Sequence, residues 1–381
     1  MIQFRSLAPA LLLAACVTSL PSTAVRANDT LMPCIQKDQP VVLAHRGASG
    51  YVPEHTLAAY ALAIEMGADF VEPDLVMTRD GVLVARHENE IGGTTDVADK
   101  PEFAGRKKTK AVDGVSIQGW FTEDFTLAEL KRLRARERIP DIRPDNQRFD
   151  GIFPVPTFQE VLDLVRGANF RFHAQAKAAG LTARRCVGVY PETKHPSYFR
   201  NLGLPMERPL VRLLNSGSFF RTTNQVFIQS FEVGNLKLLR TMTSFPLVQL
   251  LSDSGAPWDF VVAGDPRTYA DMVTPDGLSD IATYADGIGV NKNLMIPRDD
   301  ANNLGAPTPL IGDAHALGLR VHGWTFRAEN YFLPAGLRGP GGDQQRGDLE
   351  AEITLFLQQG MDGFFTDQAD IGVRARDAFA D

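Results

Sequence analysis

Three acidic residues, Glu72, Asp74 and Glu192, have the side-chain types and the spacing of a site for a hard metal cation. Glu72 and Asp74 are two positions apart, so both side chains point to the same side of an extended strand. Converging carboxylates repel one another unless a positive charge lies among them. Their oxygen ligands predict one divalent cation, with Ca²⁺ favoured over Mg²⁺. The plainer interpretation makes these acids salt-bridge partners of neighbouring Lys or Arg residues.

Two histidines and two cationic residues accompany the acids. His45 and Arg46 follow one apolar run, His87 ends another, and Lys194 comes two positions after Glu192. Arg46 offers a planar fork to phosphate oxygens, and Lys194 offers a compact positive charge. One imidazole could take a proton from an attacking oxygen while the other protonates a departing alkoxide near neutral pH. The set predicts a phosphate pocket with His45 and His87 as its general acid and base.

Three further residues near predicted strand ends complete the candidate site. Trp324 and Phe231 could form an apolar wall against the carbon skeleton of a substrate, although both would also serve as simple core residues. His322 is interpreted as a core or supporting histidine rather than as an acid or base. The acids, bases and cations carry the chemistry, because strand ends in a purely structural fold have no reason to deliver complementary charges.

The elements that must position these residues alternate along the chain. Strand-like apolar runs are separated in most cases by amphipathic helices such as 56–66 and 349–359. This order predicts parallel pairing with right-handed crossovers, and we favour a (β/α)₈ TIM barrel over an open doubly wound sheet. In such a barrel the carboxyl ends of the strands form the site. The runs are 41–44, 70–75, 82–85, 187–190, 226–231, 247–251, 287–290, 319–324 and 363–365.

Nine runs for eight barrel positions mean that one run, the second or the third, is not a strand or lies outside the barrel. Asp80 and Gly81 form a tight-turn signal between alternating runs, which favours a hairpin over a helical crossover. If the turn has two residues, Asp74 lies opposite His87, and a carboxylate and an imidazole stand side by side.

The stretch between the third and fourth strands is too long for a loop between barrel elements. We expect an insertion at about 89–155, with a basic helix over 127–138, followed by an amphipathic helix over 158–165. A second long segment, 328–347, is rich in Gly and Pro. It is expected to overhang the mouth of the barrel, or else to form a surface loop without substrate contact.

The N-terminus has the layout of an export signal, with Arg5, an apolar run over 7–13 and small residues after it. Residues 1–27 are then a signal peptide, or the signal ends before Cys16, which would carry a lipid anchor. Both alternatives predict a periplasmic or secreted protein, and the second predicts an outer-membrane lipoprotein. Cys34 and Cys186 form a disulfide in that oxidising compartment or remain as two buried thiols.

The charge balance argues against nucleic acid as a partner. The 39 Lys and Arg residues stand against 46 Asp and Glu residues, which gives a net charge of −7. Such a chain is too acidic to bind a phosphate backbone by charge alone. Beyond the N-terminus no apolar stretch is long enough for a transmembrane helix. Residues 38–381 are therefore expected to form one globular barrel domain that acts on a small molecule.

Eight motifs occur in order from near residue 40 to the C-terminus: HRGASG at 45–50, PEHT at 53–56, GAD at 67–69, EPDLVMT at 72–78, HE at 87–88, YPETK at 190–194, YADGIG at 284–289 and FFTD at 364–367. In these motifs the chain resembles the glycerophosphodiester phosphodiesterase family, and more narrowly its exported bacterial branch. The resemblance implies a (β/α)₈ barrel with an insertion. It also implies metal-dependent hydrolysis of glycerophosphodiesters, such as glycerophosphocholine or glycerophosphoethanolamine, to an alcohol and glycerol 3-phosphate.

Position by position, the resemblance implies the same roles that the residue types suggest, and it adds Glu54 as a metal-side or supporting carboxylate. It implies that the glycerol 2-hydroxyl attacks phosphorus and that water opens the resulting cyclic phosphate. Glu88 stands where the family usually has Asp, a departure that bears on substrate choice. Two alternatives stay open: a phospholipase D-like or inositol-phospholipid cleaving barrel, and a surface-binding lipoprotein that keeps the barrel as a scaffold.

Overall fold

The structure, a computed structural model, describes residues 31–35, 39–216, 220 and 225–380. The signal peptide predicted over 1–27 and the lipid anchor predicted at Cys16 lie outside these ranges. Among the described residues, no helix combines the length and the apolar character that a membrane crossing requires.

Short strands, most of them fully buried, form the centre of the fold. In chain order they are β1 (Val41–His45), β2 (Phe70–Glu72), β3 (Asp74–Met77), β4 (Leu83–Ala85), β5 (Lys108–Val112), β6 (Val115–Gly119), β7 (Gly188–Val189), β8 (Glu192–Thr193), β9 (Ile228–Ser230), β10 (Leu247–Leu251), β11 (Gly287–Asn291), β12 (Arg320–Phe326) and β13 (Gly363–Thr366). β5 and β6 form a separate hairpin. The other strands form one sheet in the order β4-β3-β8-β9-β10-β11-β12-β13-β1-β2-β7.

The main sheet curls back on itself through two strands that proline interrupts. β2 continues into β3 across Pro73, and β7 continues into β8 across Tyr190 and Pro191. Because β2 pairs with β7 while β3 pairs with β8, the two ends of the strand order meet. The pairings in this sheet are parallel, except that β4 runs antiparallel to β3. The result is a TIM-barrel-like α/β fold whose parallel strands end on one face.

Helices connect the strands and cover the sheet, as the alternating pattern predicts. They are α1 (Leu57–Glu65), α2 (Leu127–Leu130), α3 (Phe158–Ala178), α4 (Pro196–Asn201), α5 (Glu207–Leu214), α6 (Val233–Arg240), α7 (Trp258–Ala263), α8 (Tyr269–Met272), α9 (Pro275–Ile281), α10 (Leu310–Ala316), α11 (Leu349–Leu357) and α12 (Ala369–Ala380). Short 3₁₀ helices lie at Val97–Asp99, Pro101–Arg106, Thr122–Asp124, Pro144–Phe149, Lys292–Leu294 and Ala335–Leu337.

Two of the helices show why the chain is helical at these places. Thr56 caps α1 by accepting a hydrogen bond from the Ala59 N–H, and Gly67 follows the helix with a φ of 102° that favours glycine. α3 begins with a capping box between Thr157 and Glu160. α3 runs well past the predicted end at residue 165, because its apolar face stays buried as far as Ala176.

The predicted register of the first hairpin is wrong by one residue. Thr78 and Val82 form the closing pair, since Thr78 N–H donates to the Val82 carbonyl and Val82 N–H to Thr78 Oγ1. The turn therefore has three residues and ends at Gly81, whose φ is 76°. In this register Asp74 lies opposite Arg86, whose N–H donates to the Asp74 carbonyl, and not opposite His87.

The predicted basic helix over 127–138 is also wrong, because α2 ends at Leu130. The following residues form bridges to other parts of the chain. The N–H of Arg134 donates to Asp96 Oδ1, and the N–H of Ala135 donates to the Phe153 carbonyl. These partners take the place of the backbone hydrogen bonds that Arg134 and Ala135 would form inside the predicted helix.

Two further structural questions have direct answers. Cys34 and Cys186 are joined in a disulfide, so they are not free thiols.

The segment 328–347 is not an isolated surface loop, because Phe332 lines the central pocket and Glu329 is buried against Arg143. This agrees with the expectation that the segment overhangs the barrel mouth.

Candidate active site

A pocket of about 280 Å³ opens at the carboxyl ends of the parallel strands. Most of the candidate residues line it, although they come from distant parts of the chain. Those in the lining are His45, Arg46, Glu72, His87, Glu192, Lys194, Phe231 and Trp324. The pocket therefore brings together the acids, the bases and the cations on which the phosphate-site interpretation depends.

Glu72 and Glu192, which line this pocket, come together with Asp74. Each offers an oxygen that lies within 4.8 Å of the oxygens from the other two, and all three residues are buried. The break at Pro73 keeps Glu72 and Asp74 on adjacent pairing segments, and Glu192 lies directly beside Asp74 in the register of β3 and β8. Glu72 and Asp74, two positions apart, therefore place their carboxylates close together, as the spacing predicts.

Neighbouring groups hold the three carboxylates in place. Glu72 accepts hydrogen bonds from the Arg46 N–H at 2.8 Å and from Gln229 Nε2 at 3.0 Å. His55 contacts Asp74 Oδ2 through Nε2 at 2.9 Å, and its own Nδ1 contacts the Tyr60 hydroxyl at 2.7 Å. Asp74 Oδ1 is buried and has no hydrogen-bond partner among the described residues.

The electrostatics of the triad favour a bound cation. Burial raises the pKa of Glu72 well above its usual value, and the carboxylates of Asp74 and Glu192 add to the rise. Burial likewise raises the pKa of Glu192 to about 8, with Asp74 contributing and Lys194 opposing. A cation among the oxygens would stabilise the ionised form of each carboxyl group.

The residues present fit a hard divalent cation. The donor set consists of carboxylate oxygens, which Ca²⁺ and Mg²⁺ prefer, and the unpartnered Asp74 Oδ1 is a buried acceptor that a cation would satisfy. A divalent cation here would be held by Glu72, Asp74 and Glu192.

His45 is oriented by a carboxylate from the far end of the chain. Its Nδ1 lies 2.6 Å from Asp367 Oδ1, and both residues are buried. The ionised carboxylate can only accept, so Nδ1 carries the proton and Nε2 is left to exchange one with a substrate. Burial lowers the pKa of His45 to about 4, and the Arg46 cation acts in the same direction. The imidazole of His45 is therefore neutral near pH 7.

His87 has the same arrangement with a different partner. Its Nδ1 forms a hydrogen bond with Glu88, the next residue in the chain, and its Nε2 lies 3.4 Å from Lys194 Nζ. Burial lowers the pKa of His87 to about 3, and Arg46 and Lys194 contribute to the shift. Both imidazoles thus engage a carboxylate through Nδ1, and His87 Nε2 also contacts the Lys194 ammonium group.

Glu54 is close to Arg46 rather than to the three converging acids. Arg46 donates from Nη1 to Glu54 at 2.8 Å, and Arg138 binds the same carboxylate through Nε and Nη2. Arg46 Nε also lies 3.4 Å from Asp74 Oδ2. Glu54 therefore holds the Arg46 guanidinium in place and is not one of the grouped metal candidates.

The aromatic candidates separate into two groups. Phe231 and Trp324 line the pocket and meet edge to face with their ring centroids 5.8 Å apart. Trp324 is held by a hydrogen bond of 2.9 Å from Nε1 to the Gly289 carbonyl. His322 instead is buried in an aromatic cluster, where its Nδ1 lies 2.8 Å from the Tyr190 hydroxyl. The core interpretation of His322 fits this position.

Several residues of the site are absent from the sequence-based candidates. Asp367 and His55 fall inside the FFTD and PEHT motifs, so their motifs signalled them although no role was assigned. Gln229 could have been found from its place at a strand end beside Phe231. Arg138, Arg143 and Arg327 carry no local signal, because their partners are distant in the chain.

Comparisons with known proteins agree with this geometry. Residues 45–371 match the model of the glycerophosphoryl diester phosphodiesterase family. Glycerophosphodiester phosphodiesterase GDPD6 of Arabidopsis thaliana is 36% identical, over 96% of this chain and 94% of the relative. The glycerophosphodiester phosphodiesterase of Haemophilus influenzae is 28% identical, over 97% of this chain and 98% of the relative.

Solved structures share the fold. An Oleispira antarctica phosphodiesterase, solved in complex with the product sn-glycerol-3-phosphate, has a TM-score of 0.55 and 18% identity, over 89% of this chain and 97% of its own. A glycerophosphodiester phosphodiesterase from Parabacteroides distasonis has a TM-score of 0.51 and 17% identity, over 91% of this chain and 100% of its own. With its motifs in order, its acids and histidines in one pocket and its family model matched over most of its length, this chain belongs to the glycerophosphoryl diester phosphodiesterase family.

Proposed function

We propose that this protein is a metal-dependent phosphodiesterase that hydrolyses glycerophosphodiesters to an alcohol and sn-glycerol 3-phosphate. One observation carries the proposal: three carboxylates, two histidines that are hydrogen-bonded to carboxylates, and the positively charged side chains of Arg46 and Lys194 come together around one pocket. Relatives that cover almost the whole chain are named for this activity. The substrate class is that of deacylated phospholipids.

The side chains divide the work of binding and proton transfer. Arg46 and Lys194 bind the phosphate oxygens, and Phe231 and Trp324 contact the carbon skeleton. The described pocket lining includes neither Ser nor Cys. Thr325 lines it, but no hydrogen bond between its hydroxyl and a histidine is among the described contacts, so we infer that the attacking oxygen comes from the substrate or from water.

In the first step the glycerol 2-hydroxyl forms a bond to phosphorus as one imidazole takes its proton at Nε2. The bond from phosphorus to the head-group oxygen breaks, and the other imidazole protonates the departing alkoxide. Water then opens the cyclic phosphate with the same two groups in reversed roles. Asp367 and Glu88 stabilise whichever ring becomes charged.

A divalent cation held by Glu72, Asp74 and Glu192 would neutralise their charge and polarise a phosphoryl oxygen. We assign it as Ca²⁺ in preference to Mg²⁺. Because hydrogen bonds already fix the direction of Glu72, the carboxylates cannot rearrange freely into the near-ideal octahedron that Mg²⁺ demands, whereas Ca²⁺ accepts a less regular geometry.

The domain layout and the location follow the export signal. The protein belongs to the exported bacterial branch of the family. Either residues 1–27 form a signal peptide and the protein works in the periplasm or outside the cell, or Cys16 carries a lipid anchor and the protein is held on the outer membrane. The disulfide supports an oxidising compartment. Residues 38–381 form a closed (β/α)₈ barrel, with 89–155 as its insertion. Cell fractionation of the wild type and of C16A tests the location, because only a lipid-anchored protein shifts with the variant.

Release of glycerol 3-phosphate from glycerophosphocholine and glycerophosphoethanolamine tests the activity. The release should disappear with a chelator and in H45A and H87A, and it should return when Ca²⁺ is added back to the wild type. H315A is the matched control, because His315 is exposed and pairs with Asp362 away from the pocket. Full activity in both site variants and in the presence of chelator would refute the proposal.

A further inference from the structure

Two arginines from one short segment reach the carboxylates that orient the two histidines. We call residues 137–146 the bridging segment; it lies between β6 and α3, in the stretch expected to be an insertion. Arg138 and Arg143 stand five positions apart in it, and each binds a carboxylate that is hydrogen-bonded to an imidazole in the pocket.

At one end of the segment, Arg138 joins two acids. It binds Glu88 through Nη1 at 2.9 Å and Nη2 at 2.6 Å, and it binds Glu54 through Nε and Nη2 at 2.8 and 2.6 Å. Glu88 holds His87 Nδ1, and Glu54 holds Arg46. Bidentate pairing fixes the direction of a carboxylate as well as its position.

At the other end, Arg143 is buried and donates from Nη2 to Asp367 Oδ2 at 2.6 Å. The opposite oxygen of Asp367 receives the Nδ1–H of His45. Arg143 also binds Glu329 and the Ser49 carbonyl, so three parts of the chain meet on one guanidinium. Arg327 donates to the same Asp367 oxygen at 2.8 Å and is a second cation there.

Hydrogen bonds within the bridging segment set the distance between its two arginines. The N–H of Arg143 donates to the Ile139 carbonyl at 2.8 Å. Asn146 Nδ2 donates to Glu137 Oε2 at 2.8 Å and to the Ser49 carbonyl at 3.2 Å. The segment is therefore tied both to itself and to the turn after β1 that carries Arg46.

We propose that Arg138 and Arg143 are positioning residues. Through Glu88, Arg138 sets the tautomer and direction of the His87 ring, and through Asp367, Arg143 sets those of the His45 ring. The bridging segment thereby aligns both imidazoles with the phosphate site. Neither arginine is among the pocket-lining residues, and each acts through its carboxylate. The kinetic part of the inference rests on the proposed function; the geometric part does not. Supporting partners of this kind typically change activity by about 10- to 100-fold when removed.

The two ends differ in a way that sharpens the inference. Asp367 keeps Arg327 when Arg143 is lost, whereas Arg138 is the only cation with a described ion pair to Glu88. Arg138→Gln should therefore lower kcat by about 30-fold or more and Arg143→Gln by about 10-fold. KM should change less than about threefold in Arg143→Gln, whereas Arg138→Gln should also raise KM, because Arg138 holds Glu54 and Glu54 holds the phosphate-binding Arg46. Arg136→Gln is the matched control, because Arg136 is only partly buried, pairs with the exposed Asp99 and does not line the pocket. It should keep kcat within about twofold.

Imidazole NMR of the full chain, labelled with ¹⁵N-histidine and recorded without substrate, tests the geometry directly. In the wild type, His45 and His87 should each show a downfield Nδ1–H signal, assigned with H45Q and H87Q. Arg138→Gln should broaden or shift only the His87 signal, and Arg143→Gln only the His45 signal. Arg143→Lys, which keeps the charge, covers the case in which Arg143→Gln fails to fold, and it should shift the His45 signal as well.

The outcomes separate the inference from the proposed function. Unchanged imidazole signals in folded Arg138 and Arg143 variants would overturn the positioning role, and so would equal changes in the Arg136 control. Unchanged kcat in those variants, in an enzyme that releases glycerol 3-phosphate, would also overturn it. A wild type that releases none refutes the proposed function alone, since the NMR result still decides the positioning.

Discussion

His45 and Asp367 are 322 residues apart in the chain, yet His45 Nδ1 and Asp367 Oδ1 lie 2.6 Å from each other at the pocket. The pair joins the end of β1 to the residue after β13, which are neighbouring strands in the sheet. Arg327 and Arg143 hold the pKa of the Asp367 carboxyl well below its usual range, against the effect of burial. Asp367 is therefore a permanent acceptor that keeps the proton of His45 on Nδ1.

Asp367→Asn should lower kcat by about 100-fold or more with little change in KM. An amide in this position can offer an N–H to the ring and so favour the wrong tautomer. Steady-state release of glycerol 3-phosphate measures the effect. Asp370→Asn is the control, because Asp370 binds Tyr51 and does not reach the pocket. A kcat within a factor of three of the wild type would contradict the orienting role.

Glu72→Gln, Asp74→Asn and Glu192→Gln should each weaken Ca²⁺ binding by about 100-fold, because every change removes one negative charge from the oxygen set. Isothermal titration with Ca²⁺ and with Mg²⁺ measures the loss and the preference between the ions without any assay of activity. Glu350→Gln removes a half-exposed carboxylate in α11, which pairs with Arg374 away from the triad, and should leave binding unchanged. Equal Ca²⁺ affinity in the triad variants and the control would rule out this site.

Stability should depend on pH through Glu232, whose pKa burial raises to about 7 from a usual 4.5, with Asp259 and Asp113 adding to the rise. Between these values the folded protein keeps the proton while the unfolded chain loses it. The free energy of unfolding therefore falls as pH rises from 4.5 to 7, by about 3 kcal/mol from this group. Urea unfolding of the wild type and Glu232→Gln measures the difference.

In Glu232→Gln the decrease from this group should be absent, so the variant gains stability relative to the wild type as the pH rises to 7.5. Glu350→Gln, at a half-exposed position in α11, is the control and should show the same pH-dependent decrease as the wild type. Parallel pH profiles for the wild type and the Glu232 variant would show that the carboxyl group titrates normally in the folded protein.

Loss of the disulfide should lower the free energy of unfolding by about 2 to 4 kcal/mol, because the bond closes a long loop in the unfolded chain between residues 152 positions apart. Urea unfolding of the double variant C34S/C186S measures the change. A reducing agent should destabilise the wild type by the same amount and leave the double variant unaffected. A double variant as stable as the oxidised wild type would show that the bond adds nothing to stability.

Local patterns in the sequence predicted the parts of the fold that depend on neighbouring residues. Alternating strands and helices appear as predicted, and α1 and α11 lie where the amphipathic repeats place them. Patterns failed where a local preference competes with distant partners. Residues 131–138 have helical composition, but the N–H groups of Arg134 and Ala135 donate to Asp96 and to the Phe153 carbonyl, so the helix does not continue. The predicted register of the first hairpin was wrong by one residue, because Thr78, which precedes the turn, forms the closing hydrogen bonds with Val82.

By itself, the sequence determined which chemical groups stand at the strand ends. A spacing of two positions places side chains on one side of a strand, so the sequence alone predicted that the Glu72 and Asp74 side chains lie on the same side, as they do in the structure. Only the tertiary structure decided which carboxylate orients which histidine. Arg143 and Asp367 are 224 residues apart, and a hydrogen bond between them exists only after the whole barrel has brought their strands and loops together. No periodicity along the chain encodes such a contact.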